Sequence, residues 1–253
     1  MSAMSAGQAV RARVRAAAAV LGFVAGILGI AAPVDAAGQV DFGPITATAT
    51  FEQGIDVTEA IPLPSGTQRV EALVTTEGSD VATVVDVTPT GGAGSGPIRY
   101  HLATPAGAII PNTVVHARFR VTLADGSQET GPEASVRYAD TRFTWKTFQG
   151  TIVTVHWVQG DDAFGKRAAA IGDAAILAAS ALLGVHETDP IDFFIYPDVD
   201  SFRQVLGPAL RENVGGVAFP NIRTLFAQIS PTDVNAAWVG IVVPHAVCFQ
   251  FGE

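Results

Sequence analysis

The chain contains a single cysteine, Cys248, among its 253 residues. One cysteine cannot form an intramolecular disulfide, so packing alone must stabilise the fold, even in an oxidising compartment. A role as nucleophile or metal thiolate would need a base or further ligands around it, whereas a lone cysteine in an apolar stretch is usually a small core residue. The sequence therefore favours a structural role for Cys248.

Basic residues are also few. The chain has 15 Lys and Arg against 24 Asp and Glu, which gives a formal net charge of −9. A nucleic-acid surface needs clustered basic residues that displace counterions from phosphates, so we exclude nucleic acid as a partner. The hydrophobic fraction of 48% is typical of a globular protein with one substantial core or two modest ones.

The first 36 residues have the pattern of a secretory signal peptide. Three arginines between positions 11 and 15 precede an apolar run at 16–32, and Val34-Asp35-Ala36 forms a small-residue cleavage site. The run is at the lower limit for spanning a bilayer and is rich in Ala and Gly, so cleavage is favoured over retention as an anchor. We expect a secreted or extracytoplasmic protein, anchored by 16–32 only if the signal is retained.

Residues 37–142 have the pattern of an all-β domain. Short runs of β-branched and apolar residues alternate with Gly, Pro and Asp turn signals. In the run at 113–123, Val115, Ala117, Phe119 and Val121 fall on one face of a strand. The predicted strands are at 45–51, 69–76, 81–88, 98–103, 113–123 and 134–138. The simplest fold is a β-sandwich of the immunoglobulin or fibronectin type III kind.

From residue 143 onward strands alternate with helices, which predicts an α+β or α/β domain. Asp161 can cap a helix that runs to Leu183 and ends at Gly184. Its predicted apolar face comprises Phe164, Ala168, Ile171, Ala175, Ala178 and Leu182. The other predicted elements are strands at 151–158, 191–196 and 222–230, a short helix near 199–206, and an apolar helix from 233 to the end.

The remaining candidate ligands are isolated. Four histidines lie on separate predicted elements, with no pair at ligand spacing: His101, His116, His156 and His186. Such histidines are usually at the surface or hydrogen-bonded within a strand. Asp198 and Asp200 lack the Gly and distal Glu of a calcium loop, so helix capping is their predicted role.

Three stretches in a fixed order carry a family resemblance: Tyr-Ala-Asp-Thr-Arg-Phe at 138–143, Gly-Gly-Val-Ala-Phe-Pro at 215–220, and the segment 238–245. Residues 143–253 resemble the N-terminal part of the peptidase MA-like domain, a gluzincin-type HExxH zinc metallopeptidase module of exported bacterial proteins. The resemblance implies an incomplete α+β metallopeptidase-like domain, a zinc cofactor and a protein or peptide substrate. It also implies that the strand at 222–230 is the sheet edge that pairs with substrate.

The resemblance places the first zinc ligand at His245. An HExxH site needs a general-base glutamate beside that histidine and a second histidine one turn later, but Ala246 and Phe249 occupy those positions. The family's third ligand, a glutamate, has no counterpart in the 253 residues. One imidazole cannot supply a catalytic zinc site, so we expect no peptidase activity and no bound zinc.

Three interpretations stay open at this level. The abrupt loss of the motif after His245 favours a truncated or frame-shifted copy of a zinc peptidase. The second interpretation is a non-catalytic cell-surface module that binds a protein or glycan through the sandwich and the sheet edge. The third is a nonfunctional fragment whose uncovered apolar surface would cause aggregation.

Overall fold

The computed structural model describes residues 39–89, 97–207, 214–236 and 239. Within them the chain is a β-rich mixed fold with few helices. In chain order the elements are β1 Ile45–Thr50, β2 Gly54–Ala60, β3 Arg69–Thr76, β4 Thr83–Asp86, β5 Pro97–Leu102, β6 Val114–Thr122, β7 Gln128–Thr130, β8 Ala134–Arg137, β9 Lys146–Gln149, β10 Val153–Trp157, α1 Asp162–Leu183, β11 Ile191–Tyr196, α2 Val199–Leu206, β12 Gly216–Phe219 and β13 Thr224–Gln228. A 3-10 turn, Pro220–Ile222, joins the last two strands. In the described parts, no helix is long and apolar enough to cross a membrane.

The first half of the chain forms two antiparallel sheets. One has the order β1-β2-β5, and the other has the order β4-β3-β6-β7 with β8 also paired to β6. The inward side chains of β6 are buried as the alternation predicts, with Phe119 and Val121 fully enclosed. They share a core with Ile55 and Val57 of β2, so apolar faces of both sheets contribute to one core.

The second half forms a mixed sheet with the order β12-β13-β11-β10-β9. Its three central strands, β10, β11 and β13, are parallel, and an antiparallel strand closes each side. One face packs against α1 around Val153, Val155 and Phe193. The opposite face contributes Tyr196 and Phe226 to the core of the two antiparallel sheets. The mixed sheet therefore has apolar cores on both of its faces.

The capping residues in the sequence correctly predicted where α1 begins and ends. Asp161 accepts a hydrogen bond from the backbone N–H of Phe164 at 3.0 Å, and Gly184 ends the helix in the left-handed region at φ 69°. The predicted apolar face was partly wrong, because Ala178 is exposed and Leu182 is 79% exposed. The buried face instead includes two glycines and alanines that bring the helix close to the sheet: Gly165, Ala168, Ala169, Gly172, Ala175 and Ala179.

Four of the described strands were not predicted from the sequence: β2, β7, β9 and β12. β7 and β9 have three and four residues, too few to establish an alternation, and both carry polar side chains. β2 carries the charged residue Glu59 on the buried face that it shares with Ile55 and Val57. The helix predicted from residue 233 is not present at 233–236, which form a turn and a bend in which the N–H of Ala236 donates to the carbonyl of Asp233, whereas the described residue Val239 is helical.

Candidate functional site

The predicted metal-motif positions, His245, Ala246 and Phe249, lie outside the described residues, as does Cys248. Within the described residues, no three His, Cys, Asp or Glu side chains come together in a group that could hold a metal ion. The residues that could act together are instead on the mixed sheet, at its two edge strands and on the face that packs against the antiparallel sheets.

The substrate-pairing edge predicted at 222–230 is misplaced. The strand itself is present as β13, but it lies inside the sheet with β11 on one side and β12 on the other. The outer position belongs to β12, which folds back through the 3-10 turn Pro220–Ile222. The prediction failed because Gly-Val-Ala-Phe is too short to be read as a strand of its own.

The hydrogen-bonding direction of β12 follows from its register. The N–H of Gln228 donates to the carbonyl of Gly215 at 3.1 Å, so this pair is a hydrogen-bonded pair of the antiparallel ladder. Such pairs alternate with non-bonded ones, and Gly216 and Ala218 occupy the non-bonded positions. Their N–H and C=O groups therefore point away from β13, and no strand of the described residues pairs with them.

The side chains of β12 are apolar and half-buried. Val217 and Phe219 pack on the aromatic side of the sheet, and Ala218 packs on the α1 side. Phe219 makes an edge-on contact with Phe226 at a centroid distance of 5.7 Å. The edge thus combines outward main-chain donors and acceptors with apolar side chains on both faces.

A polar network runs across the aromatic side of the sheet near its other edge. His156 of β10 lies with Nε2 2.8 Å from Oδ1 of Asp192 of β11 and with Nδ1 3.1 Å from the hydroxyl of Thr147 of β9. The imidazole also stacks on Phe194 at a centroid distance of 4.3 Å. Each ring nitrogen therefore has its own partner, and the ring plane is fixed by stacking.

Asn112 connects this network to the antiparallel sheets. Its side-chain amide donates to Oδ2 of Asp192 at 2.9 Å and to the hydroxyl of Thr224 at 2.8 Å. Arg137 holds Asn112 in turn by donating to its backbone and side-chain oxygens at 2.7 and 2.9 Å. Burial alone would raise the pKa of Asp192, but the hydrogen bonds from His156 and Asn112 outweigh burial and hold that pKa below its usual range.

The junction stretch at 138–143 forms a second polar cluster. The Asp140 side chain is buried, and its carboxylate accepts hydrogen bonds from the guanidinium of Arg142 at 2.6 Å and from the hydroxyl of Tyr196 at 3.0 Å. The backbone carbonyl of Asp140 accepts a third bond, from the indole N–H of Trp145 at 2.9 Å. Arg142 also donates to Gln204 of α2 and lies 4.4 Å above the Phe51 ring. Burial raises the pKa of Tyr196 far above its usual range. This cluster ties the two halves of the chain together.

Glu59 is the one fully buried carboxyl side chain of the described residues with neither oxygen hydrogen-bonded. It faces the core of the antiparallel sheets beside Ile55 and Val57 on β2. Burial raises its pKa to about 7.

Two further predictions were tested by the described residues. Asp198 caps α2 by accepting from the backbone N–H of Ser201 at 2.8 Å, which confirms the capping role. His156 is a hydrogen-bonded strand histidine, which is one of the two situations expected for it. Its partner Asp192 is 36 positions away, and local spacing contains no signal for it. The two residues come together because β10 and β11 pair in parallel, and this pairing is not visible in the local sequence.

No family model and no curated protein matches the chain. Solved structures similar to it include an aminopeptidase N family protein from Idiomarina loihiensis, with 10% identity over 84% of this chain and 47% of that chain and a TM-score of 0.33. A polysaccharide deacetylase from Bacillus cereus shares 7% identity over 61% of this chain and 51% of that chain, with a TM-score of 0.28. The cycloalternan-degrading enzyme from Trueperella pyogenes shares 12% identity over 45% of this chain and 16% of that chain, with a TM-score of 0.28. The chain spans about half or less of the length of these three proteins, and likeness at these scores carries no functional argument.

Proposed function

We propose that this chain is an exported, peptidase MA-like protein that binds extended polypeptide without hydrolysing it. In this proposal residues 37–142 are an immunoglobulin- or fibronectin III-like sandwich, and residues 143–253 are the N-terminal part of a gluzincin-like domain. The signal segment 1–36 directs export, and the partner is a protein or peptide segment in an extended conformation.

The observation that carries the proposal is the outer edge of β12. Gly216 and Ala218 present N–H and C=O groups away from β13, where an extended peptide can add as a further strand. Main-chain bonds of this kind give affinity, and side-chain pockets on alternate faces give selectivity. The half-buried Val217 and Phe219 would contact apolar side chains of such a peptide on the aromatic face.

The absence of hydrolysis rests on the donor atoms in the sequence. A catalytic zinc takes three protein ligands and a water, and the motif positions offer one imidazole from His245 beside Ala246 and Phe249. Alanine cannot accept a proton, and phenylalanine has no lone pair for a metal. The residues present do not fit a zinc ion, so no step of the proposed function uses one.

The test is binding of fluorescein-labelled unfolded casein by the purified chain, measured as fluorescence anisotropy with and without added zinc. Ala218→Pro removes the outward N–H without removing a bond to β13. We expect it to weaken binding by about tenfold, the equivalent of one main-chain hydrogen bond with its local contacts.

The matched control is Gln149→Pro, which removes an outward N–H from the opposite edge strand, β9. It should bind casein as the unchanged chain does. Equal weakening by both substitutions would show that casein binds elsewhere, and zinc-dependent cleavage of the casein would refute the non-catalytic part of the proposal.

A further inference from the structure

Thr147, His156 and Asp192 form a continuous hydroxyl–imidazole–carboxylate chain. The hydroxyl of Thr147 lies 3.1 Å from Nδ1 of His156, and Nε2 lies 2.8 Å from the carboxylate of Asp192. A base within hydrogen-bonding reach of a hydroxyl, itself oriented by a third group, is the arrangement of nucleophilic catalysis. The three residues come from three adjacent strands, β9, β10 and β11.

A second histidine provides a contrast. His116 has the hydroxyl of Ser135 at 2.8 Å and the carboxylate of Glu133 at 3.1 Å, but both are on the same ring nitrogen, Nδ1. The His116 imidazole therefore cannot accept the hydroxyl proton at one ring nitrogen while a carboxylate orients it through the other nitrogen. His156 therefore differs from His116 in the distribution of its partners over the ring.

The geometry around His156 is held from two sides. Phe194 stacks under the imidazole, and Asn112 fixes the second carboxylate oxygen of Asp192. The Asp192 carboxylate can only accept at Nε2 and so favours the tautomer with its proton there, in which Nδ1 directs its lone pair at the hydroxyl of Thr147. The carboxylate would then stabilise the imidazolium that forms when Nδ1 takes that proton.

Thr147 is accessible, and hydrogen-bond donors lie beside it. It is exposed on β9, at an edge of the mixed sheet. The N–H of Gly150 donates to the carbonyl of Val153 at 2.8 Å, so the alternation places Thr147 and Gln149 at non-bonded positions opposite β10. Both N–H groups point outward, and the N–H of Thr147 can donate to an oxyanion that forms next to the Thr147 hydroxyl.

We propose that Thr147, His156 and Asp192 constitute an acyl-transfer site for small esters. The Thr147 oxygen bonds to the acyl carbon while its proton passes to Nδ1 of His156. The carbon–oxygen bond of the ester then breaks, and the leaving alkoxide takes that proton to depart as the alcohol. Water, deprotonated by His156, attacks the acyl-threonine, and return of the proton to Thr147 releases the carboxylic acid.

This site is at the opposite end of the sheet from β12 and does not depend on peptide binding. The probe is p-nitrophenyl acetate with the purified full-length chain. Two readouts apply: the rate of nitrophenolate release, and mass spectrometry of the proteolytic peptide that contains Thr147 after acid quenching. We expect one acetyl group at position 147 in the unchanged protein and also in the variant Thr147→Ser, which keeps a hydroxyl there.

Thr147→Val keeps the side-chain shape and removes the hydroxyl, and His156→Gln removes the base. Each should lower nitrophenolate release by at least ~100-fold, the usual contribution of a general base and its nucleophile. Thr147→Val is exposed and should fold normally, so it decides the test even if His156→Gln destabilises the protein. The matched controls, Ser135→Ala and His116→Gln, should react as the unchanged chain does. An unacetylated Thr147, or full activity in Thr147→Val, would overturn the proposal.

Discussion

Asn112 donates a hydrogen bond to Asp192 across the boundary between the antiparallel sheets and the mixed sheet, at 2.9 Å. Asn112 is buried and has a positive φ of 76°, a conformation that Asn and Gly adopt more readily than other residues. Asparagine suits this position because it tolerates the positive φ and because its side-chain amide donates to Asp192 and Thr224. The residue joins the two halves of the chain and fixes the carboxylate that holds His156.

Two substitutions at Asn112 separate these contributions. Asn112→Gly keeps the backbone conformation but removes the side-chain bonds to Asp192, Thr224 and Arg137, and should lower the free energy of unfolding by about 1–3 kcal/mol. Asn112→Ala should cost about 1–2 kcal/mol more because alanine is strained at positive φ. Urea unfolding measures both values, and equal values for the two variants would contradict the assigned conformation.

The same region shows how far sequence reasoning reaches. Residues 191–196 were predicted as a strand with the bounds that β11 has, because an apolar run between turn signals is a local feature. The pairing of Thr154 with Asp192 is a matter of register between two parallel strands and has no local signature. The His156–Asp192 contact could therefore not be predicted from spacing.

The order of strands in the mixed sheet could not be predicted from the sequence either. A strand was predicted at 222–230 and β13 occupies the middle of that range, yet its place inside the sheet depends on β12, a four-residue segment that begins with glycine. The junction at 138–143 was singled out as a motif, but its bonds to Tyr196 and Gln204 connect residues about 60 positions apart. The sequence predicted the strand and singled out the junction motif, but their neighbours in space depend on tertiary packing.

The buried carboxyl of Glu59 predicts a pH-dependent stability. Its pKa rises from the ordinary 4.5 to about 7 in the folded state, so the folded protein binds more protons than the unfolded chain between these values. Stability from this group is fully present below pH 4.5 and is lost as the pH rises toward 7. Glu59→Gln removes the titration, so its stability relative to the unchanged chain should increase by a few kcal/mol at most from pH 5 to pH 8. Chemical unfolding at the two pH values measures the difference, and a constant difference would contradict the prediction.

Gly165 lies directly against the Trp157 ring where α1 packs on β10. A β-carbon at this position would lie 2.3 Å from the indole, well inside any real contact distance. Gly165→Ala should therefore destabilise the protein by about 1–3 kcal/mol through overpacking, although alanine is the better helix former. Gly172→Ala on the same helix is the matched control, because its new carbon would meet Val153 side-chain atoms at 3.2 Å. Thermal unfolding should show the smaller loss for Gly172→Ala, and an equal or larger loss there would contradict the packing described for Trp157.

The junction cluster predicts coupled effects at Asp140 and Tyr196. Tyr196→Phe removes one donor while Arg142 still neutralises the carboxylate, so a loss of about 1–2 kcal/mol in the free energy of unfolding is expected. Asp140→Ala removes the carboxylate that accepts from both the guanidinium of Arg142 and the hydroxyl of Tyr196, and should cost about 3–5 kcal/mol. The double variant should lose less than the sum of the single losses, because the tyrosine hydroxyl has no acceptor left to lose once Asp140 is gone. Strict additivity in denaturant unfolding would show that the hydroxyl and the carboxylate contribute independently, contrary to the 3.0 Å bond between them.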